Sequence, residues 1–258
     1  MIRNEHFLAS MSALHGAALS VERGEVLAPA PFVTISRQAG AGGRMLARRL
    51  VERLNQADPS SADRPWTCWD HELVERAAAE HHLSVAAIER LAGPPTPWLQ
   101  QMFRGLAGAE HPADPDEAVV YHKVALTIRG LAAIGRCVIV GRGGVCATDD
   151  LPGGVHVRLV APLAWRVAQM ARVLHVSDRE AAAAVARIDH DRQAFYRRYW
   201  PNKPFTPERF TIGFNTAAVS DVNRMANCIL PLVGAPLPPA AALINPEPGA
   251  TPAGELTE

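Results

Sequence analysis

The stretch Phe32–Leu50, FVTISRQAGAGGRMLARRL, constrains this chain more than any other. Its opening FVTIS is apolar and β-branched and reads as a buried strand. Gly40, Gly42 and Gly43 follow, and then an Arg/Leu/Ala pattern with helical spacing. A strand that turns on glycines directly into a helix commits the chain to a helix-covered, parallel sheet. The glycines let the backbone turn sharply and aim successive N–H groups into one concavity, to which the helix adds its positive end. Gly40, Ala41, Gly42, Gly43 and Arg44 are therefore the candidate phosphate-binding residues; the alternative is an ordinary tight strand–helix turn. The lysine and the hydroxyl residue that usually close such a turn are missing, since Arg44 and Met45 stand in their places. A dinucleotide-binding turn fits poorly: Met45 sits where a third glycine belongs, and Asp70 comes later than the usual spacing of roughly 20 residues.

The rest of the chain continues the alternation. Strands are expected at Pro31–Ser36, Trp66–Trp69, Cys137–Val140, His156–Val160 and Phe210–Phe214, with helices near 43–55, 71–81, 84–91, 116–134, 163–175, 178–198 and 219–229. A proline-broken segment, 92–117, interrupts this rhythm and reads as an insertion beside the sheet that can cover a substrate. Residues 1–29 read as a short helical extension and 234–258 as a disordered Pro/Ala-rich tail, leaving one α/β domain over 30–233. In open parallel sheets ligands sit beyond the carboxyl ends of the strands. Gly40–Gly43, Asp70, Gly141–Gly144 and Asn215–Thr216 all fall at such ends.

Composition narrows the partners. The formal net charge is zero, so no global field draws the chain to nucleic acid or an anionic membrane. The basic residues comprise 24 arginines and two lysines, Lys123 and Lys203, so no lysine lies near the glycine turn. No apolar run approaches a membrane span, and the N-terminal stretch is acidic-containing without a long apolar core. Cys68, Cys137, Cys146 and Cys228 form no C-x-x-C pair and fit reduced, buried thiols. A cytoplasmic protein is expected. His81 and His82 lack further ligands at metal-binding spacing.

Two more motifs carry chemistry. CVIVGRGG, Cys137–Gly144, ends a strand on a flexible Gly-Arg-Gly-Gly turn, where the Arg142 guanidinium can fork onto a phosphate or a base carbonyl. A surface arginine in a turn is the plainer alternative. VARIDHDRQAFYRRYW, Val185–Trp200, packs Arg187, Asp189, Asp191, Arg192, Arg197 and Arg198 into one helix. It is either a salt-bridged solvated helix or a lid that brings arginines onto phosphates as a site closes. Its aromatic residues Phe195, Tyr196, Tyr199 and Trp200 read as packing; one patch on a neutral chain is a minor argument for nucleic acid.

Taken in order, six stretches resemble the cytidylate kinase-like family, a divergent branch of the P-loop nucleoside monophosphate kinases. They are VTISRQAGAGGRMLARRL, WTCWDHELVERAAAEH, GRCVIVGRGG, VHVRLVAPLAWRV, SDREAAAAVARIDHDRQAFYRRYW and FTIGFNTAAVSDVNRMA, spanning roughly residues 31–230. The resemblance implies a P-loop kinase fold: a five-stranded parallel sheet flanked by helices, with a helical lid near 176–205. It implies ATP and Mg²⁺ as cofactors and nucleotides as substrates, with no protein partner indicated. Arg142 matches the arginine that meets the acceptor nucleotide, while Gly143 stands where the neighbouring aspartate is expected, which weakens any expectation of cytidine. Asp189 and Arg192 match the lid's Asp-x-x-Arg, whose arginine is expected to reach the transferring phosphoryl group.

Phosphoryl transfer between nucleotides asks mainly for alignment and positive charge around the equatorial oxygens. A missing lysine can be replaced if another cation reaches the same place. Arg37, before the turn, is the preferred substitute; Arg44 is a second and Arg192 arrives from the lid. With no hydroxyl closing the turn, Asp70 is the expected Mg²⁺ ligand, direct or through water, and Ser36 a second. Two functions stay open: ATP-dependent phosphoryl transfer to a nucleoside monophosphate, or a nucleotide-binding regulatory module without appreciable catalysis.

Overall fold

The computed structural model describes residues 30–58, 64–79, 115–141, 143–201, 203 and 205–237, with isolated residues at 11–24, 88 and 92. The expected helix at 84–91, the His81–His82 pair, most of the 92–117 insertion, Arg142 and most of both extensions lie outside the described residues.

β1 (Phe32–Arg37) is the central strand, which explains its composition. Residues Phe32–Ser36 are buried on both faces, and the first charge comes at Arg37 as the strand emerges. Of its two buried hydroxyl residues, Thr34 is bonded to His156 Nδ1 at 2.8 Å. β1 feeds α1 (Gly43–Ala57), followed by β2 (Thr67–Trp69), α2 (His71–Ala79), α3 (Pro115–Ile134) and β3 (Cys137–Val140). Then come α4 (Gly144–Thr148), β4 (Gly154–Val160), α5 (Leu163–Leu174), α6 (Asp178–Tyr199), β5 (Ile212–Asn215) and α7 (Val222–Ile229). The sheet has five strands, all parallel, in the order β2-β3-β1-β4-β5. β1 therefore lies between β3 and β4, and the chain reverses its direction of sheet growth there, opening a crevice at their carboxyl ends.

Helices cover both faces. On one, Leu46, Leu50 and Leu54 of α1 pack with Val33, Ile35, Val157 and Leu159 of the sheet and Ile229 of α7. Their spacing on α1 is four residues, one helical face. On the other, Phe32, Trp69 and Ile139 meet Tyr121 of α3, Val145 of α4 and Tyr199 and Trp200 at the end of α6.

α6 is 22 residues long and starts on a capping box, Ser177 receiving the Glu180 N–H while the Glu180 carboxylate accepts from Ser177 N–H. Its two ends are packed differently. Ala181 and Val185 sit against Met170 of α5 and Ala39 of the glycine turn. At the far end Trp200 Nε1 donates to the Tyr121 hydroxyl at 2.7 Å, and Tyr121 stacks near Tyr199 with ring centres 4.1 Å apart.

The fifth strand begins two residues later than the sequence pattern suggests. A 3-10 turn at Pro207–Arg209 precedes it, and Phe210 is drawn into an aromatic contact with Phe205 at 5.0 Å between ring centres. β4 starts earlier than expected, at Gly154, because pairing with β1 begins at Phe32. Among the described residues no helix is long and apolar enough to cross a membrane.

Leu50, fully buried on α1, is expected to lose about 2–5 kcal/mol of stability on Leu50→Ala, while Arg48→Ala on the exposed face of the same helix changes it by no more than about 0.5 kcal/mol. Urea unfolding of the two variants checks this.

Candidate active site

The glycine turn is held in shape by backbone conformation and by α5. Gly40 and Gly42 take φ of 74° and 81°, the left-handed region that favours glycine. A Cβ on Gly40 would stand 2.6 Å from the Arg166 carbonyl oxygen, so the turn is pressed against the first turns of α5. Gly42 is the N-cap of α1 and brings no capping side chain, and no acidic residue sits in the helix's first turn. The positive end of α1 thus meets no carboxylate from its own first turn.

Arg37 folds back over this turn. A Cβ on Gly43 would meet Arg37 Cδ at 2.8 Å and Nε at 3.2 Å, so the arginine stem lies across the start of α1. Arg44 points elsewhere: its guanidinium pairs with Asp70 at 3.7 Å and Glu72 at 3.9 Å, toward α2.

Asp189 joins α6 to the turn. Its Oδ1 accepts the Ala39 N–H at 2.9 Å and its Oδ2 accepts from Arg166 Nη1 at 2.6 Å. The buried Arg166 also donates to the carbonyls of Ala39 and Ala161. One turn along α6, Arg192 Nη1 donates to the Arg37 carbonyl at 3.2 Å and lies 3.7 Å from Asp189 Oδ1. Two side chains of α6 therefore hold consecutive parts of the strand–turn junction.

Asp70 and Ser36 have different partners. Asp70 Oδ1 accepts the Leu73 N–H at 3.1 Å at the start of α2, and its other oxygen faces Arg44. Ser36 is buried, with its side chain hydrogen-bonded to Tyr196. The Tyr196 hydroxyl also accepts the Gly143 N–H at 3.1 Å. Gly143, at φ 78°, has room for no side chain: a Cβ would lie 2.7 Å from the Tyr121 hydroxyl. Its neighbour Arg142 lies outside the described residues. Among the described residues no three His, Cys, Asp or Glu side chains cluster as a metal site. Among the described residues the donor set does not fit a metal cage built by the protein.

Between the ends of β1, β3 and β4 and the inner side of α6, next to the turn, lies a cleft of about 500 Å³. Arg37, Arg158, Arg192, Arg197 and Lys203 line it, against a single lining carboxylate among the described residues, Asp189. Tyr196, Trp200 and Phe205 form an apolar wall. Such a space suits a polyanion carrying a flat ring. Burial, above all, pushes the Tyr196 phenol up, so it stays neutral and donates or accepts as a hydroxyl. Burial likewise pushes the Cys68 and Cys146 thiols up to about 12, leaving them protonated and unreactive.

The cleft thus brings together Arg37, Asp189 and Arg192 of the sequence-derived candidates. Ser36, Gly40, Ala41, Gly42, Gly43, Arg44, Asp70 and Gly143 are not among its lining residues. Sequence reasoning missed Arg158, Arg166, Tyr196 as a site residue, Arg197 as a cleft cation, and Lys203. Arg158 did carry a signal, as the one arginine inside the apolar strand VHVRLV.

The fold and site together define an α/β protein with a cation-lined cleft at the carboxyl edge of a parallel sheet. The chain belongs to the cytidylate kinase-like family, whose sequence model matches residues 32–218. Membership carries a nucleotide kinase-like function in general terms. No curated protein matches the chain. Among solved structures, an uncharacterized protein from Eubacterium ventriosum ATCC 27560 superposes with a TM-score of 0.56 at 16% identity, covering 79% of this chain and 97% of its own. At that identity the likeness is one of fold.

Asp189→Ala removes the carboxylate facing the buried Arg166 guanidinium and the Ala39 N–H, and is expected to cost about 1–3 kcal/mol in urea unfolding. An unchanged midpoint would mean that this carboxylate does not hold α6 to the turn.

Proposed function

We propose that the protein transfers the γ-phosphoryl group of ATP to a nucleoside monophosphate, working without the lysine of the usual phosphate-binding turn. The observation that carries this reading is the gathering of Arg37, Arg158, Arg192, Arg197 and Lys203 around one cleft beside the glycine turn. Family membership supports the nucleotide as ligand.

The chemistry asks little of the protein beyond alignment and charge. The acceptor phosphate is itself the nucleophile, so no strong general base is needed. Arg37, whose stem lies across Gly43, is the natural replacement for the missing lysine, with the glycine turn holding phosphate oxygens through its N–H groups. Arg192, held beside Arg37 by the Arg37 carbonyl, brings its guanidinium charge toward the equatorial oxygens. Asp189 acts as a positioning residue, since its oxygens are used on Ala39 and Arg166. Mg²⁺ bound to the phosphates would offset their charge; Asp70 is the side chain suited to hold it, and Ser36, bonded to Tyr196 beneath the cleft, is less so.

A second reading is a nucleotide-binding regulatory module without turnover. It is favoured by the engagement of Asp70 in the α2 cap and with Arg44, and by the Asp189 carboxylate on a turn N–H. The two readings differ in Mg²⁺ dependence: a transfer site binds ATP more tightly with Mg²⁺, whereas a glycine turn acting alone does not require it.

The deciding experiment measures ATP consumption with Mg²⁺ against CMP, dCMP, UMP, AMP and GMP, following nucleoside diphosphate. Acceptor-dependent turnover is expected; ATP binding with no turnover would favour the regulatory module. Arg192→Ala should lower kcat by about 10²–10³-fold with little change in ATP affinity, as for other donors that act mainly in the transition state. Unaltered kcat would remove Arg192 from the reaction. Arg37→Ala should weaken ATP binding by about 10–100-fold, the loss of one charge-assisted contact, read by equilibrium titration. Unaltered affinity would return the lysine's role to Arg44 or to the backbone alone.

A further inference from the structure

The floor of the cleft contains a cation that the glycine turn does not account for. Arg158 lies within β4, in register with Ser36 of β1 and Gly213 of β5. Strand alternation turns Val157 and Leu159 into the core beneath α1 and sends Arg158 to the opposite face, under α6. There its guanidinium carbon is 4.5 Å from the centre of the Phe205 ring and 5.9 Å from that of Phe210. Among the described residues it makes no hydrogen bond and no ion pair.

That is an uncommon situation for a half-buried arginine. Three other covered cations at this end of the sheet each have an oxygen to serve. Arg166 has Asp189 and two carbonyls; Arg192 has the Arg37 carbonyl; Lys203 has Asp149 at 2.6 Å and the Cys146 carbonyl at 3.0 Å. Arg158 has two phenyl rings, which fix the guanidinium plane but use none of its five N–H donors. Burial, together with repulsion from Arg192 and Arg166, lowers its pKa, and the one carboxylate opposing this, Asp189, is bound elsewhere. A planar, fixed, desolvated fork with unused donors facing a cleft is suited to bidentate capture of a dianion.

We propose that Arg158 is the binding residue for the phosphomonoester group of the acceptor, so that the acceptor is recognised first by its own dianionic phosphate. The assignment to the acceptor rests on the transfer reading above. Arg37 and Arg192 stand at the glycine turn and serve the donor; Arg158 stands in the adjoining floor, where an acceptor phosphate would lie alongside. In the transfer, an unprotonated acceptor oxygen forms a bond to the γ-phosphorus while the bond from that phosphorus to the β,γ-bridging oxygen breaks. ADP leaves with the electron pair, and a dianionic acceptor has no proton to lose. Tyr196 and Trp200 on the cleft wall are available to the base, while Arg158 supplies the charge.

The test separates binding from turnover. Equilibrium binding of CMP, dCMP, UMP, AMP and GMP to the full chain, each compared with its own nucleoside, is measured for wild type, Arg158→Met and Arg158→Lys. Wild type is expected to bind at least one monophosphate much more tightly than its nucleoside. Arg158→Met should lose roughly 10–100-fold of that affinity, as for one charge-assisted pair, with ATP affinity and nucleoside binding unchanged. Arg158→Lys should recover part of it, since charge is kept and the fork is lost; it also stands in if the Met variant fails to fold. Equal monophosphate affinity in all three proteins overturns the proposal, as does a wild type that prefers no monophosphate over its nucleoside. Arg158-dependent binding without any turnover would sink the transfer reading and leave the phosphomonoester subsite standing. Normal turnover with an unchanged acceptor KM in Arg158→Met would do the reverse.

Discussion

The Asp189 carboxylate is the interaction on which the site depends. It accepts one N–H from the glycine turn and one from the buried Arg166, joining three segments far apart in sequence: the β1–α1 junction, the start of α5 and the middle of α6. Arg166 sits almost wholly out of water, so its charge needs a partner at close range. By supplying one, Asp189 fixes the height of α6 above the sheet, and hence the depth of the cleft. Arg192, three residues on, then falls beside the Arg37 carbonyl as a consequence of helical spacing. The hydrophobic contacts of Ala181 and Val185 at one end of the helix and of Tyr199 and Trp200 at the other keep this polar junction under packed cover.

The electrostatic character of the cleft follows from where carboxylates are used up. Asp149 serves Lys203 and Arg209, Asp70 serves α2 and Arg44, and Asp150 serves the buried Arg129. Among the described residues Asp189 is the one carboxylate lining the cleft, and it is already engaged. A chain with zero net charge thereby presents a locally cationic concavity, which net charge cannot reveal. Loss of the turn lysine is set within this surplus: the positive charge near the turn comes from arginines that arrive from the strand and from α6.

Much of the fold was legible in the sequence, for a definite reason. β1, β3 and the helices beginning at Gly43, His71 and Asp178 are marked by local features: continuous β-branched burial, glycines that require positive φ, and a capping box. β5 was less legible because Phe210 is apolar like a strand residue, yet its contact with Phe205 takes it out of the ladder. Site residues divide in the same way. Arg37, Asp189 and Arg192 stood out through motif position. Arg166 and Lys203 did not, since their importance comes only from partners more than twenty residues away in sequence. Arg44 ranked behind Arg37 in the sequence because it falls in the first turn of a helix, and in the fold it turns to Asp70 and Glu72.

The sequence by itself determined that strands and helices alternate, that a glycine turn follows the central strand, and that no lysine accompanies it. These are local matters, decided by φ preferences, side-chain branching and composition. Only the tertiary structure decided which arginines share a cleft and which are neutralised. That depends on strand order and on the height of α6, and so on contacts such as Asp189–Arg166 and Arg158–Phe205 that unite distant segments. Charge is a property of the residue, but its availability to a ligand is set by what the fold puts beside it.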